Sequence, residues 1–498
     1  MLAKLTPRQL TVYALARVPT GFPRWVPVAI LFLLLAGSAR RGFCGEEQES
    51  VTVHAPRVQK IELLNGLKIL VIEKKPAQAA TVVSLLIKTG FLADPKDREG
   101  TAFLTAEAVR SANGKVPAER WKDELEFLGA QVEIRVNADA TVFQAQLPPT
   151  RLEVFLAFLA NVVLRPVFAV EGLERIKLET HASRVFSSAS FYPGRALFRQ
   201  TVFDNSRCSR SGIGTAESLK GIRIADLELF HRSYYLPNNS ALVVVGPPSE
   251  PRIDSLVREK FGGWVKGSLA SSEPAVGFPS LSGQKVRVVE SGTHDDAATI
   301  LLGHPAPARQ TPDYFPLQLV AAILGNTGKS SRLEQALTAQ NVPYRSISSE
   351  VQFERDCSQF QIVANVPVAS LQTAIQTILD GIESMKTVPI SESEMSAAKA
   401  KLLAEYAAVI ESDARIADQV AEIELFDLAR DFLTEYSGRV EQTAAERVEE
   451  AAKNYLSSTR VATVIVGDGK AVTSALAGFR TPDIVGDTEP HVPPASSK

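Results

Sequence analysis

The side chains best suited to chemistry in this chain are six histidines and three cysteines. Metal ligation from one helix needs histidines three or four positions apart, so that both project from the same face. His54, His181, His231, His294, His304 and His491 are all far from one another in sequence. Cys44, Cys208 and Cys357 show neither metal nor redox spacing. Free, partly buried thiols are the expectation, with no disulfide framework. The chain carries no G-x-S-x-G nucleophile elbow and no G-x-x-x-x-G-K-[ST] phosphate loop. GNTGKS at 325–330 lacks phosphate-loop spacing and follows a predicted helix over 315–324 instead of a strand. It is expected to be a loop between helices.

Composition narrows the field further. Hydrophobic residues make up 45% and charged residues 22%, which suits a globular body with a large core. The net charge is −2 and no basic stripe stands out, so nothing points to a nucleic-acid partner. Lys4, Arg8, Arg17 and Arg24 precede the apolar run VPVAILFLLLA at 26–36, followed by Gly37, Ser38 and Ala39. This reads as a signal peptide over 1–39, cleaved after Ala39, for a periplasmic or secreted protein. The alternative is an uncleaved N-terminal membrane anchor, although a spanning helix needs roughly 20 apolar residues. Phe43 is too bulky for a lipid-attachment box at Cys44.

The elements that must position any site are a mixture of strands and helices. KILVIE at 68–73 and ATVVSLLIK at 80–88 read as strands joined by a proline-containing turn at 74–78. Residues 94–100 form a polar loop, and helices are predicted over 101–111 and 116–128, the second stopped by Gly129. A strand pair follows at 131–134 and 140–147. Two segments then recur. ALVVVG at 241–246 returns as ATVIVG at 462–467, and PVFAVEGLERIK at 166–177 aligns with VPISESEMSAAK at 388–399. Each member of the second pair follows an amphipathic helix, over 152–163 and 371–385. Two matches at one offset imply two homologous lobes.

The predicted organisation is a polar lead at 40–58, a first lobe at 59–266, a Ser/Gly/Pro-rich linker at 267–284, a second lobe at 285–480 and a disordered tail at 481–498. The fold class is α+β, each lobe a mostly antiparallel sheet packed with helices.

Several segments together resemble the pitrilysin/insulinase metallopeptidases, in particular their two-lobed bacterial and mitochondrial-processing-peptidase-like branch. In the first lobe they are NGLKILV (65–71), KTGFLADPKDREGTAFLTAEAV (88–109), ELEFLGAQVE (124–133), GTAESLKGI (214–222), FHRSYYLPNNSALVVVG (230–246) and EKFGGW (259–264). In the second they are ILLGHPAPARQTPDYFPLQLVAAILG (300–325) and SSRLEQAL (330–337). The resemblance covers nearly all of the chain after residue 60 and implies the processing-peptidase-like fold.

It also implies a zinc site that this sequence does not spell. Active members carry H-x-x-E-H on a helix. Two imidazoles ligate the metal, the glutamate between them polarises the bound water, and a further glutamate downstream completes the site. Placed on Gly100, Thr101 and Ala102, the first histidine falls on Phe103, the glutamate on Ala106 and the second histidine on Glu107. The distal glutamate falls on Ala182 or Ser183, within a predicted helix over 173–185. These are degenerate positions, so no catalytic residue and no bound metal are expected here. His181 is read as a surface or packing residue, and His231 and His304 as structural.

The family's second lobe supplies an arginine and a tyrosine that hold substrate. Tyr344 matches the tyrosine, while the arginine position falls on Leu337 or Thr338. Arg332 and Ser331 are the nearby polar candidates for substrate binding, and Arg345 also lies close. An extended peptide could instead add to a sheet edge, for which the strand at 140–147 is a candidate, with an interior strand the equal alternative. The resemblance therefore implies a non-catalytic subunit, forming a heterodimer with an active zinc-carrying homologue and helping to bind its peptide substrate. Two alternatives stand beside it: a structural or assembly protein with no proteolytic role, and an active enzyme with an unusual metal site.

Overall fold

The computed structural model describes residues 55–74, 80–111, 118–186, 191–204, 206–249, 251–269, 281–290, 296–479 and 483–485. The expected signal peptide and, apart from Lys74, the turn expected at 74–78 lie outside the described residues, as do His54, His294, His491 and Cys44. So do most of the expected linker and nearly all of the expected tail.

Lobe one builds a six-stranded sheet from β1 (Gln59–Glu62), β2 (Lys68–Glu73), β3 (Thr81–Ile87), β4 (Gln131–Val136), β5 (Thr141–Leu147) and β6 (Ser240–Gly246), in the order β1-β2-β6-β3-β5-β4. Lobe two repeats it with β7 (Lys285–Glu290), β8 (Ala297–Pro305), β9 (Ser346–Gln352), β10 (Gln359–Pro367), β11 (Ala462–Gly467) and β12 (Asp483–Val485), in the order β12-β7-β11-β8-β10-β9. Five strands correspond one for one, and only the outer strands β1 and β12 come from different ends of their lobes. The repeated segments ALVVVG and ATVIVG are the central strands β6 and β11, and every residue of both is buried. A strand covered on both faces reads as a continuous apolar run, which is why these two carried the clearest repeat. Parallel pairing joins β2 to β6, β7 to β11 and β7 to β12; the other neighbours are antiparallel.

One face of each sheet is covered by helices of its own lobe. In lobe one these include Thr101–Ser111, Leu152–Leu164 and Ile253–Phe261. In lobe two they include Tyr314–Ala321, Leu371–Thr387 and Ala445–Tyr455. The opposite faces are exchanged between lobes. The lobe-one helix Phe191–Phe203 lays Leu197, Phe198 and Val202 on Leu301, Val464 and Val466 of the second sheet. The lobe-two helix Asp413–Leu425 lays Ile416, Val420 and Ala421 on Leu86, Val243 and Val245 of the first. The two helices start 222 residues apart and have equal length. Reciprocal exchange makes each lobe's core complete only when the other is docked on it.

One open alternative is settled and three expectations change, the first being that Asp483–Val485 of the expected disordered tail forms β12 on the second sheet. The strand predicted at 140–147 is β5, hydrogen-bonded on both sides by β3 and β4, so the interior alternative holds and it offers no free edge; the edge strands are β1 and β4. Segment 325–330 is no open loop: a π-helical turn (Ala322–Asn326) and a 3-10 turn (Gly328–Ser330) continue from the helix before it. Cys208 and Cys357 are not free thiols but a disulfide that joins the lobes, both sulfurs fully buried. Nothing in a separation of 149 residues announces such a pair, because pairing follows from the docking of lobes.

Candidate functional site

The helix Thr101–Ser111 stands where the sequence alignment placed the metal-binding helix. It starts at Gly100, whose φ of +100° suits glycine, and a side chain there would also press on the Ile213 carbonyl. The buried Asp94 caps the helix: its two carboxylate oxygens accept from the amides of Gly100 and Ala102, both at 2.7 Å. Burial pushes the Asp94 carboxyl up to about 8, against the pull of the two amides and Arg210. Sequence reasoning left Asp94 in a polar loop. A cap reaching six and eight residues ahead departs from the usual N-cap spacing, so no local signal marked it.

What the helix presents cannot bind zinc. Phe103 is half-buried and packs beside a cluster that includes Leu104, Ala108, Leu173 and Leu227. Ala106 is 0% exposed, in the core between this helix and the sheet. Glu107 is the one group of the three with donor atoms, and Arg110 one turn on holds its carboxylate at 2.5 Å. Ala182 and Ser183 fall in the helix Val170–Phe186, at positions whose side chains lie outside the described residues, as does that of His181. Among the described residues no group of three His, Cys, Asp or Glu could hold a metal ion. The residues at the zinc positions therefore do not fit the metal, and no water-activating step can be routed through them.

His231 and His304 serve packing. His231 bonds the Val163 carbonyl through Nε2 at 2.8 Å and lies between Phe168 and Tyr235; burial lowers its pKa. His304 is buried and stacks on Phe360. Its Nε2 faces the Ser457 amide at 3.3 Å, so it accepts there and Nδ1–H donates to the Pro305 carbonyl at 2.9 Å. Burial holds it down at about 4, and the ring is neutral at pH 7.

The second-lobe candidates all have partners within the chain. Ser331 is fully buried and caps the helix Arg332–Ala339 by accepting from the Glu334 amide. Arg332 donates to Glu394 at 2.6 Å and to the carbonyls of Ser384, Val388 and Pro389. Tyr344 donates its hydroxyl to Glu334 at 2.9 Å and packs partly on the lobe-two core. Leu337, at one of the two arginine positions, is a core residue with no exposure. The structure thus gathers Tyr344, Ser331 and Arg332 around the lobe-two helix Arg332–Ala339, while Phe103 belongs to a lobe-one helix.

Between the lobes lies a cleft of about 550 Å³. Its lobe-one wall includes Arg135 and Asp139, and its lobe-two walls include Tyr314, Phe353, Glu354 and Asp418. Arg135 forks onto Asp418 at 2.8 and 2.5 Å. Behind it the deeply buried Arg309 pairs with Glu422 at 2.9 Å and lies 3.6 Å from the Tyr314 ring centre. Such stacking suits a guanidinium taken out of water. The cleft's charges are largely matched within its own walls.

Comparison with known proteins bears on the family and the fold. Residues 69–190 match the model of the insulinase family (peptidase family M16), and residues 221–402 match the model of the peptidase M16 inactive domain. The second match does not reach the helix Thr101–Ser111, so the loss of ligands there is read from Phe103, Ala106 and Glu107 themselves. The chain is 23% identical to the zinc protease PqqE of Helicobacter pylori over 83% of its own length and 93% of that protein. It is 21% identical to protein YhjJ of Salmonella typhimurium over 86% of each. Among solved structures, a protease from Helicobacter pylori superposes with a TM-score of 0.76 at 20% identity, over 83% of this chain and 100% of that one. A peptidase M16 inactive domain from Pseudomonas fluorescens gives 0.75 at 19%, over 82% and 98%. With two models of one family together matching residues 69–190 and 221–402, the chain belongs to the M16, insulinase-type peptidase family.

Proposed function

We propose that this chain is a non-catalytic member of its family, acting outside the cytoplasm as the partner of an active zinc peptidase and shaping the space in which that peptidase holds its peptide. The observation that carries the reading is one turn of helix. An aromatic ring and a buried methyl group stand where an imidazole and a general base are required, and the remaining carboxylate is tied to Arg110. Relatives called zinc proteases make it reasonable that a fold kept whole without its site still works beside one that has it. The exposed edge strand β4 offers main-chain groups to an extended peptide, a mode of capture that needs no metal. A buried disulfide supports an oxidising compartment, since such bonds persist there and are rare in the cytosol.

The test combines metal analysis with co-purification. The purified chain is expected to hold no stoichiometric zinc and to cleave no peptide alone. A homologue carrying H-x-x-E-H should co-purify with it, and peptide cleavage by that homologue should rise when this chain is added. One tightly held zinc per chain, or peptidase activity of the chain alone, defeats the reading. If no homologue associates, a structural or assembly role takes its place.

A further inference from the structure

The lobe-two loop at 353–358, between β9 and β10, is fastened to lobe one by four unlike contacts. Cys357 is bonded to Cys208, with Cα atoms 5.4 Å apart. Glu354 receives both guanidinium nitrogens of Arg199 at 2.7 and 2.8 Å. Asp356 pairs with Arg207. The Arg355 amide donates to Asp139 at 2.9 Å. The same loop contributes Phe353 and Glu354 to the wall of the inter-lobe cleft. The sulfurs sit in an apolar cluster with Leu197, Phe198, Val202 and Leu301, drawn from both lobes. Only docked lobes bring the two cysteines within bonding reach.

We propose that Cys208–Cys357 is a covalent clamp between the lobes, installed by oxidation once they have docked, and that its loss releases the 353–358 loop from the cleft without unfolding either lobe. Forming it removes two protons and two electrons from the pair of thiols. A disulfide donor, protein or small molecule, takes them up and leaves as a dithiol. Each lobe retains its own sheet and its own helix-covered core, so the clamp is not what folds them. Reduction has to begin with a thiolate reaching a sulfur. With both sulfurs at 0% exposure the closed body shields the bond, and the loop must open before a reductant attacks. The inference does not depend on pairing with an active peptidase and survives if that reading fails.

The experiment uses the full chain produced in an oxidising compartment. It is denatured without reductant, alkylated and digested. A linked peptide pair containing Cys208 and Cys357 is expected in near-stoichiometric yield, and alkylation of both cysteines overturns the proposal. The second measurement is limited trypsin cleavage after Arg355, which is exposed at the tip of the loop. In the Cys208→Ala, Cys357→Ala variant this cut should quicken roughly tenfold or more, as expected when a locally stable segment is freed. Amide protection should persist in β3 and β10, lowered at most by the bond's share of the global stability. Should the variant not fold, the same cut is followed in folded wild-type protein after reduction under mild denaturant. An unchanged rate after Arg355, or loss of protection in β3 or β10 along with it, sinks the clamp.

Discussion

The two exchanged helices occupy equivalent places and solve the same packing problem in different ways. Phe191–Phe203 and Asp413–Leu425 have the same length, and each crosses the central strands of the other lobe's sheet. Their fourth residues are Gly194 and Ile416; their twelfth are Val202 and Glu424. Glycine lets the first helix sit close to β11, where a Cβ would stand 2.5 Å from Val466. Isoleucine, fully buried, holds the second helix off by a side chain. Val202 joins the apolar cluster around the disulfide. Glu424 instead receives Lys60, Lys68 and Lys88 at 2.6, 2.5 and 2.7 Å. An ion pair recurs at the starts of the matching strands, Lys68 of β2 with Glu424 and Lys285 of β7 with Asp204, but Asp204 is exposed. One seam therefore adds a covalent bond and two guanidinium–carboxylate pairs to close apolar contact, while the other centres on a carboxylate caged by three lysines. Duplication supplied the geometry, while the chemistry of each seam is local.

The largest effect belongs to the covalent seam. A bridge across 149 residues restricts the unfolded chain by about 5 kcal/mol in the loop-entropy account, as an upper figure. Replacing Cys208 and Cys357 by alanine should lower the free energy of unfolding, read from denaturant curves, by up to that amount. If the free energy of unfolding falls by less than about 1 kcal/mol, ion pairs and apolar faces alone hold the lobes together, and the contrast drawn above is wrong.

The ionic seam comes second. Glu424 is 5% exposed, and the three lysines that hold it are 15–35% exposed. Burial alone would raise its carboxyl, but the three ammonium groups win and hold it down at about 2. An unfolded glutamate titrates near 4.3, so this group stabilises the fold above that pH. The contribution fades as pH falls from about 4.3 toward 2, where the folded carboxylate also takes up its proton. After allowance for the partly exposed lysines, Glu424→Gln should cost about 2 to 3 kcal/mol at pH 7. The variant should also lose that part of the acid dependence. Unfolding curves at pH 7, 4 and 2.5 decide this, and a variant that keeps the wild-type slope between them shows the cage to be ornamental.

Much of this architecture was legible beforehand, and the illegible part has a common cause. The offset between ALVVVG and ATVIVG revealed two lobes because central strands, buried on both faces, tolerate little but β-branched apolar residues. The degenerate helix was legible because ligand chemistry is tied to residue type: Phe103 and Ala106 lack donor atoms in any fold. Long-range choices were not legible. Periodicity tells that Phe191–Phe203 has an apolar face, not which sheet it covers. Alternation marks β5 as a strand, not whether it is an edge. Arg332 looked like a substrate ligand because an arginine's partners, here Glu394 and three carbonyls, lie 52 to 62 residues away. The disulfide went unseen for the same reason.

The smallest expected effect tests the close approach directly. At an ordinary helix position, Gly→Ala gains about 1 kcal/mol through propensity. At position 194 the new methyl would meet Val466 Cγ2 at 2.5 Å and Leu301 Cδ1 at 3.4 Å. Valine is stiff about its one side-chain torsion, so the helix or the strand must shift, and overpacking of this kind costs about 1 to 3 kcal/mol. The net change for Gly194→Ala is a loss of about 1 kcal/mol. Val466→Ala removes the opposing methyls and opens space of its own, so each single change should destabilise. Together they should fit one another, with a coupling of about 1 kcal/mol in a double-mutant cycle read from chemical unfolding. Ile416→Gly on the other seam should show no such compensation with any strand residue, because there the side chain fills the gap. Additive behaviour at 194 and 466 would mean that the helix already stands clear of β11, and that the two seams are closer in kind than their residues suggest.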